Sequence, residues 1–324
     1  MVQPLRTRRA SSKRNALLAL LALLVVALFL VCIVNVQQMA TQRLSETWRD
    51  GGGGSADAID LGRMNGAHVI LNIGSNDDPI VPRPTDDPCT VALAFEPVVS
   101  HLIPSHPALH VIPAAVTGEG GWATMHMYNK HGVSSSLSKP SKKANWNSDG
   151  GTLKVVPTIS FRTILESLQN FKIDMIMTDM QGHDFAAVSS VGDLLKEVGV
   201  KRLITEVYKD NIVSYQGVNN DLCHDWLPHM TSNGYVFEGL TEMRGDTETL
   251  LIGFRNAEEI QISCKKALED KNVEARKAGF EEYNAFWRLK GEKPSSDLKV
   301  YHYGTHRPGK PGHTFTDEEY QKCS

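Results

Sequence analysis

Four apolar segments of this chain each end on a single polar residue. The segments HVILN, VALAFE, IDMIMTD and KRLITE end on Asn72, Glu96, Asp179 and Glu206. Near-continuous apolar runs are typical of parallel strands that are buried on both faces. In an open α/β sheet, ligands bind in the crevice outside the carboxyl ends of the strands. The pattern therefore predicts one sheet with one shared site along one of its edges.

Composition indicates a folded body that does not bind nucleic acid. Of the 324 residues, 41% are hydrophobic and 22% are charged, which is the profile of a globular chain. The net charge is -3, so the chain has no overall positive field for a phosphate backbone. No basic stripe with interleaved aromatic residues is visible either.

The N-terminus carries an apolar run, 16–34, of the length that a membrane-spanning helix requires. Basic residues precede it, and no acidic residue occurs before Glu46. The positive-inside rule then predicts a cytoplasmic tail (1–15), a single-pass type II signal anchor (16–36) and a lumenal head in the Golgi or endoplasmic reticulum. The alternative is a cleaved signal or transit peptide. Its apolar core would be shorter, roughly 7–15 residues, and the sequence VQQMA that follows the run is a poor cleavage site.

Cysteine content is compatible with an oxidising compartment but does not establish one. Four cysteines follow the apolar run: Cys89, Cys223, Cys264 and Cys323. They allow two disulfides in any of three pairings, or four ordinary thiols, and both alternatives stay open.

Beyond the anchor we predict a flexible stem (37–65) rich in Gly and Ser, a folded domain (66–256), and a helical C-terminal extension and tail (257–324). Apolar patterns predict strands at 68–72, 91–95, 109–115, 122–128, 173–178, 201–205, 235–240 and 249–254. They predict helices at 160–170, 184–198, 221–233 and 257–289. The expected fold is α/β: a Rossmann-like, mostly parallel sheet with helices on both faces, one transmembrane helix before it and a terminal antiparallel strand pair.

Five short segments carry a resemblance to a known family. They are LNIGSN (71–76), FEP (95–97), AAV (114–116), SSSL (134–137) and IDMIMTDMQGHD (173–184). With them, the chain resembles the class I S-adenosylmethionine-dependent methyltransferases and, more closely, the FkbM-type methyltransferase family. The resemblance covers about 67–255, and the last segment is its most specific part.

The resemblance implies S-adenosyl-L-methionine as cofactor. Gly74 suits a tight turn against the methionine end of the cofactor, because glycine adopts backbone angles that other residues avoid. A carboxylate at the end of the second strand, here Glu96, can accept both ribose hydroxyls; the alternative is a surface acid. By family analogy Ala115 and Val116 border adenine, or else they are plain core residues. The predicted cofactor-binding residues are Asn72, Gly74, Ser75, Asn76, Glu96, Ala115, Val116, Asp179 and Gln181.

Methyl transfer depends mainly on placing the acceptor in line with the methyl group, and a hydroxyl acceptor also needs a general base. The predicted catalytic residues are His183, Asp179 and Glu206. The alternative for His183 is a solvent-facing loop histidine, and Asp184 can instead cap the helix that follows it. No convincing metal site is visible.

We therefore expect a membrane-anchored methyltransferase that modifies an oxygen of a glycan or another polar hydroxyl acceptor. The alternative is a catalytically silent methyltransferase-like head used for binding or tethering, which Asn72, Met177 and the pair Asp77 and Asp78 favour. A third possibility is an enzyme that faces the cytosol.

Overall fold

The computed structural model describes residues 68–76, 79–82, 89–98, 108–128, 132, 134–141, 151–208, 212–241, 257–269, 277–278, 282–294 and 301–302. The predicted anchor, the stem and the predicted strand at 249–254 lie outside these residues. Within the ranges given, no helix is both long and apolar enough to cross a membrane.

The described strands and helices alternate along the chain. The strands are β1 (His68–Ile73), β2 (Ile80–Val81), β3 (Thr90–Phe95), β4 (Leu109–Ile112), β5 (Ala115–Thr117), β6 (Gly121–Met127), β7 (Thr152–Ser160), β8 (Lys172–Thr178), β9 (Arg202–Tyr208), β10 (Ile212–Val213), β11 (Tyr235–Thr241), β12 (Lys277–Ala278), β13 (Glu282–Leu289) and β14 (Tyr301–His302). The helices are α1 (Phe161–Ser167), α2 (Asp184–Val191), α3 (Leu194–Glu197), α4 (Leu227–Ser232) and α5 (Ala257–Glu269), and a π-helical turn covers Leu222–Trp226.

Seven of these strands form the central sheet, in the order β11-β13-β9-β8-β1-β3-β4. The strands from β9 to β4 are parallel, and β13 is antiparallel to both of its neighbours. The chain starts in the middle at β1, runs outward through β3 and β4, and returns to β8 on the other side of β1. This reversal leaves a crevice at the carboxyl ends of the central strands. The predicted mostly parallel sheet is confirmed.

Burial explains why the sequence identified the central strands. Every residue of β3, and every residue of β1 except His68, is buried. Because both faces of these strands are covered, apolar side chains occupy successive positions instead of alternating with polar ones. The core on one side of the sheet includes Ile70, Ala92, Met175, Met177, Ile204 and Phe286.

The predicted third strand, 109–115, is wrong, because the structure divides it between two sheets. β4 ends at Ile112, and β5 begins at Ala115 after Pro113, which has no N–H to continue the ladder. β5 pairs with β7 in a separate three-stranded sheet of order β5-β7-β6. The sequence predicted β6 but missed β7.

The predicted helix at 184–198 is interrupted. α2 ends before Gly192, which has a φ of +53°, and α3 begins at Leu194. Glycine adopts this left-handed conformation without steric cost, so it ends the helix here. The predicted helix at 160–170 is confirmed as α1, where the Ser160 hydroxyl caps the first turn by accepting from the N–H of Thr163 at 3.0 Å.

The predicted helix at 257–289 is observed as α5 over Ala257–Glu269. Its last part is β13, which lies between β9 and β11 and pairs with both. An antiparallel pair at this end of the sheet was predicted; among the described residues β11 pairs with β13, and the predicted strand 249–254 lies outside them. The middle of β13, Ala285 to Trp287, is fully buried, so this C-terminal strand is part of the core of the sheet.

One disulfide joins two of the helical segments. Cys223, in the π-helical turn, is bonded to Cys264 in α5. Cys89 is disulfide-bonded as well. Disulfides persist in oxidising compartments and are rare in the cytosol.

Candidate active site

The turn after β1 brings the ends of three strands together. The N–H of Gly74 donates to the carbonyl oxygen of Phe95 at 2.9 Å, and the N–H of Asp179 donates to that of Ile73 at 2.8 Å. Gly74 has a φ of +76°, and a Cβ on it would lie 2.8 Å from the carbonyl carbon of Asp179 and closer still to its oxygen. Only glycine fits between these backbones. The turn after β1 and the loop after β8, predicted to share one site, are therefore in contact.

Glu96 lies beside this turn, at the end of β3. Its side chain is buried, and both oxygens accept hydrogen bonds from backbone groups: Oε2 from the N–H of Asn76 at 2.8 Å and Oε1 from the N–H of Val98 at 2.7 Å. Asn76 reaches this position with a φ of +47°. Two charge-assisted hydrogen bonds hold the carboxylate in one orientation.

Asn72 does not face the same space. Its side chain is fully buried, donates from Nδ2 to the carbonyl oxygen of Ile80 at 2.9 Å, and accepts at Oδ1 from the N–H of Ile80 at 2.7 Å. The amide thus replaces a strand partner for the backbone of β2, which is a structural role. Its neighbour Ser75 has a buried hydroxyl oxygen without a hydrogen-bond partner in the described part of the chain.

A partly open pocket lies where these strand ends meet, and its space, open solvent included, is about 490 Å³. The central sheet contributes the polar side of its wall, and the small sheet with its neighbouring loop contributes apolar side chains. The lining residues are Gly74, Asn76, Phe95, Glu96, Pro97, Ala115, Val116, Met125, Gly132, Ser135, Leu137, Asp179, Met180, Gln181 and His183. Most of the residues predicted to bind the cofactor are therefore brought together, whereas Asn72 and Ser75 are not among the lining residues.

The loop after β8 carries the most extensive polar network of the pocket. Gln181 donates from Nε2 to Oδ1 of Asp179 at 2.6 Å and to Oε1 of Glu206 at 3.2 Å. Its Oε1 accepts from the hydroxyl of Tyr215 at 2.5 Å. The next residue, Gly182, has a φ of +96° and packs against the Tyr208 hydroxyl, which leaves no room for a side chain there.

Several buried carboxyl groups lie close to one another behind this loop. Burial, followed by the charge of Asp179, raises the pKa of Asp184 to about 7. Burial, with the charge of Asp179, also raises the pKa of Glu282 to about 7. Burial and the charges of Glu282, Asp179 and Asp184 raise the pKa of Glu206 well above its usual range. Desolvation and like charges both favour the neutral acid here.

Glu206 is consequently poorly placed to act as a base. The sequence placed it at the end of a strand, but β9 continues to Tyr208, and Glu206 is not among the residues that line the pocket. Its raised pKa favours the neutral acid over the carboxylate that a base requires. Asp184 does not cap α2 by its side chain; its Oδ1 accepts from the N–H of Met180 at 3.0 Å.

His183 lines the pocket and is partly buried. Its Nε2 lies 2.9 Å from Oγ of Ser138, and burial lowers the pKa of its imidazole below the usual value. The imidazole is therefore neutral at neutral pH, the state in which it can accept a proton. The alternative of a solvent-facing histidine does not fit this position.

The family model for the FkbM methyltransferase domain matches residues 66–237, slightly more than half of the chain. The chain belongs to the FkbM methyltransferase family. No curated protein and no solved structure matches it significantly in the same comparisons. Family membership supports a methyltransferase function in general, and the pocket lies inside the matched segment. In the part of the chain that the structure describes, no group of three or more His, Cys, Asp and Glu side chains is placed to hold a metal ion.

Two residues that contact the loop after β8 were not predicted from the sequence. Ser138 follows the segment SSSL by one residue, and its approach to His183 depends on how the loop 134–141 folds over the pocket. Tyr215 is 34 residues away from Gln181 in the sequence, and no local pattern connects the two. The polar stretch 130–151, rich in Ser, Lys, Asn and Gly, precedes β7 and is a sequence signal for such a cover, since long loops are usually functional or mobile.

Proposed function

We propose that the chain is an S-adenosylmethionine-dependent methyltransferase that methylates a hydroxyl oxygen. The observation that carries the proposal is the buried Glu96 carboxylate in the wall of the pocket. Two backbone N–H groups fix its orientation, and a carboxylate so placed is the group type that accepts from ribose hydroxyls. An acid held in this way at the end of a strand suits a nucleoside better than a surface role.

The other lining residues fit the rest of the cofactor. The turn 74–76 would hold its methionine portion, and Ser75 within that turn has a buried hydroxyl that lacks a hydrogen-bond partner among the described residues. The apolar side chains of Ala115, Val116 and Leu137 would border adenine. When bound, the cofactor supplies an electrophilic methyl group on a positively charged sulfur.

The charges of the pocket narrow the class of acceptor. Among the lining residues that the structure describes, Glu96 and Asp179 are acidic and none is Lys or Arg. This field favours a cationic cofactor and disfavours an anionic acceptor such as a phosphate or carboxylate. A neutral polar hydroxyl, as on a glycan, fits the pocket best.

We assign the base to His183. It lines the pocket, its lowered pKa keeps it neutral, and it is close to Ser138, whose hydroxyl restricts its orientation. Asp179 is also in the pocket, and we assign it to orienting the cofactor because Gln181 and the Gly74 turn hold it against that side of the wall.

Two substitutions should separate binding from turnover. Glu96→Ala removes two charge-assisted hydrogen bonds to the ribose and should raise the Kd of S-adenosylmethionine about 100-fold, measured by titration calorimetry. His183→Gln keeps a hydrogen-bonding partner for Ser138 but cannot take up a proton. It should lower kcat for methylation of a panel of neutral oligosaccharides by about 10²–10⁴ and change the Kd little.

Glu238→Ala is the matched control for Glu96→Ala, because Glu238 is a carboxylate outside the pocket that is paired with Arg288 at 2.7 Å.

In the wild type, activity should fall only below about pH 6.5, since neutral His183 is needed and its pKa is lowered. Well-folded wild-type protein that binds no S-adenosylmethionine would instead support the silent head, which the structural role of Asn72 favours.

We further propose that the head is held by the N-terminal anchor on the lumenal side of a Golgi or endoplasmic reticulum membrane. The disulfides support an oxidising compartment. A C-terminal epitope tag should then resist protease in sealed vesicles and become sensitive when detergent is added. Digestion in intact vesicles would place the head in the cytosol, and a mature chain that lacks residues 1–36 would show a cleaved signal.

A further inference from the structure

Tyr215 is not one of the lining residues, but a hydrogen bond connects it to Gln181, which is. It is fully buried, and its hydroxyl donates to Oε1 of Gln181 at 2.5 Å. The same hydroxyl is 3.1 Å from the carbonyl oxygen of Ser134. The hydroxyl has a single proton, and the shorter of the two distances assigns that proton to Gln181.

The backbone fixes where the Gln181 side chain begins. Gln181 has a φ of +52°, a left-handed conformation that non-glycine residues adopt in only a few per cent of cases. Its carbonyl oxygen accepts from the hydroxyl of Ser136 at 2.8 Å. The loop 134–141, which covers the pocket, therefore stabilises this backbone conformation. The position from which the Gln181 side chain extends is fixed as a result.

Tyr215 also decides which way the amide points. An amide has one acceptor end and one donor end, and the Tyr215 proton occupies the acceptor end. The donor end must then face Asp179, at 2.6 Å, and Glu206, at 3.2 Å. With the amide reversed, its oxygen would lie against the Asp179 carboxylate without a proton between them. A glutamate in place of Gln181 would add another negative charge to this crowded region.

We propose that Tyr215 and Gln181 are positioning residues that orient the Asp179 carboxylate toward the positively charged sulfur of bound S-adenosylmethionine. The inference rests on the proposed function. In S-adenosylmethionine the sulfur joins the ribose to the methionine portion, which would be held by Glu96 and the Gly74 turn, and Asp179 is in contact with that turn. With Glu96 assigned to the ribose, Asp179 is the other acidic lining residue and would face the positive charge.

The test compares two ligands that differ in that charge. S-adenosylhomocysteine lacks the methyl group and carries a neutral sulfur. We expect Tyr215→Phe to weaken S-adenosylmethionine binding about tenfold and S-adenosylhomocysteine binding much less, because it removes the hydrogen bond that orients a charged group but keeps the ring. Titration calorimetry on the full chain in detergent measures both Kd values.

Tyr235→Phe is the matched control. Tyr235 is also buried and its hydroxyl also donates one hydrogen bond, to the carbonyl oxygen of Val200 at 2.8 Å, but it does not line the pocket. It should leave both Kd values unchanged. A general loss of packing in Tyr215→Phe would weaken both ligands equally, so an equal loss, or no loss, overturns the inference.

Gln181→Met gives a second reading if Tyr215→Phe folds poorly. It keeps the length of the side chain and removes the amide, so it should lower the preference for the charged ligand in the same way. An unchanged preference in this variant would also overturn the inference. If the wild type binds neither ligand, the proposed function fails, and that result is distinguishable from a failure of the positioning role.

Discussion

Replacing Trp287 by alanine is expected to lower the free energy of unfolding by about 3–5 kcal/mol, the usual effect of removing a large aromatic side chain from a core. Trp287 is completely buried in β13. Its ring stacks on Trp226 with centroids 6.1 Å apart and contacts Phe237 at 5.1 Å. Its Nε1 donates to the hydroxyl of Thr205 at 2.9 Å, so the substitution also leaves a buried hydroxyl without its donor.

Chemical denaturation monitored by circular dichroism measures this effect. Trp122→Ala is the matched control, because the Trp122 side chain is 71% exposed and its loss should change stability by less than about 0.5 kcal/mol. Equal, small effects of the two substitutions would mean that β13 is not part of the folded core. The result matters because β13 lies beyond residue 237, where the match to the family domain ends.

Gly74→Ala is expected to disrupt the pocket and to destabilise the fold by about 3 kcal/mol or more, since it combines an unfavourable backbone angle with overpacking. The new Cβ would collide with the carbonyl group of Asp179. Relief of the collision requires β1 and β8 to separate at their ends. The hydrogen bond from the N–H of Asp179 to Ile73 would then lengthen, and Asp179 would leave its place in the wall.

The matched control separates backbone strain from the collision. Gly192 also has a positive φ, +53°, but nothing lies within 4 Å of where its Cβ would be. Gly192→Ala should therefore cost about 1–2 kcal/mol, from the backbone angle alone, and leave S-adenosylmethionine binding intact. Thermal unfolding and calorimetric titration of both variants provide the measurements. If Gly74→Ala bound the cofactor like the wild type, the close approach of the two strand ends would not matter for the site.

The central strands could be predicted because strands that are buried on both faces consist mostly of apolar residues. β1, β3 and β8 are covered on both faces, so their apolar runs are continuous and end where the backbone reaches the crevice. β13 escaped prediction because a charged helix precedes it and because Glu282, Asn284 and Arg288 interrupt its apolar character. Its partners β9 and β11 are remote in sequence, and pairing between remote segments leaves no local pattern.

Single residues of the site differ in the same way: some were predictable from a local pattern, and others depend on contacts with remote segments. Glu96 and Asp179 were predicted because each terminates an apolar strand, and the structure places both in the pocket wall. Asn72 ends a strand in the same way, yet its side chain is occupied by the backbone of Ile80, an interaction that depends on where the connection after β1 returns. Glu206 was misplaced because strand pairing with β13 extends β9 past it.

The sequence by itself determined the parallel sheet, the edge at which its strands end and the family to which the chain belongs, because burial and tight turns constrain consecutive residues. Only the tertiary structure decided which polar side chains share the pocket, how Tyr215 orients Gln181, and that a C-terminal strand completes the sheet. Each of these depends on contacts between residues far apart in the chain, whose distances are set by packing and not by local preference.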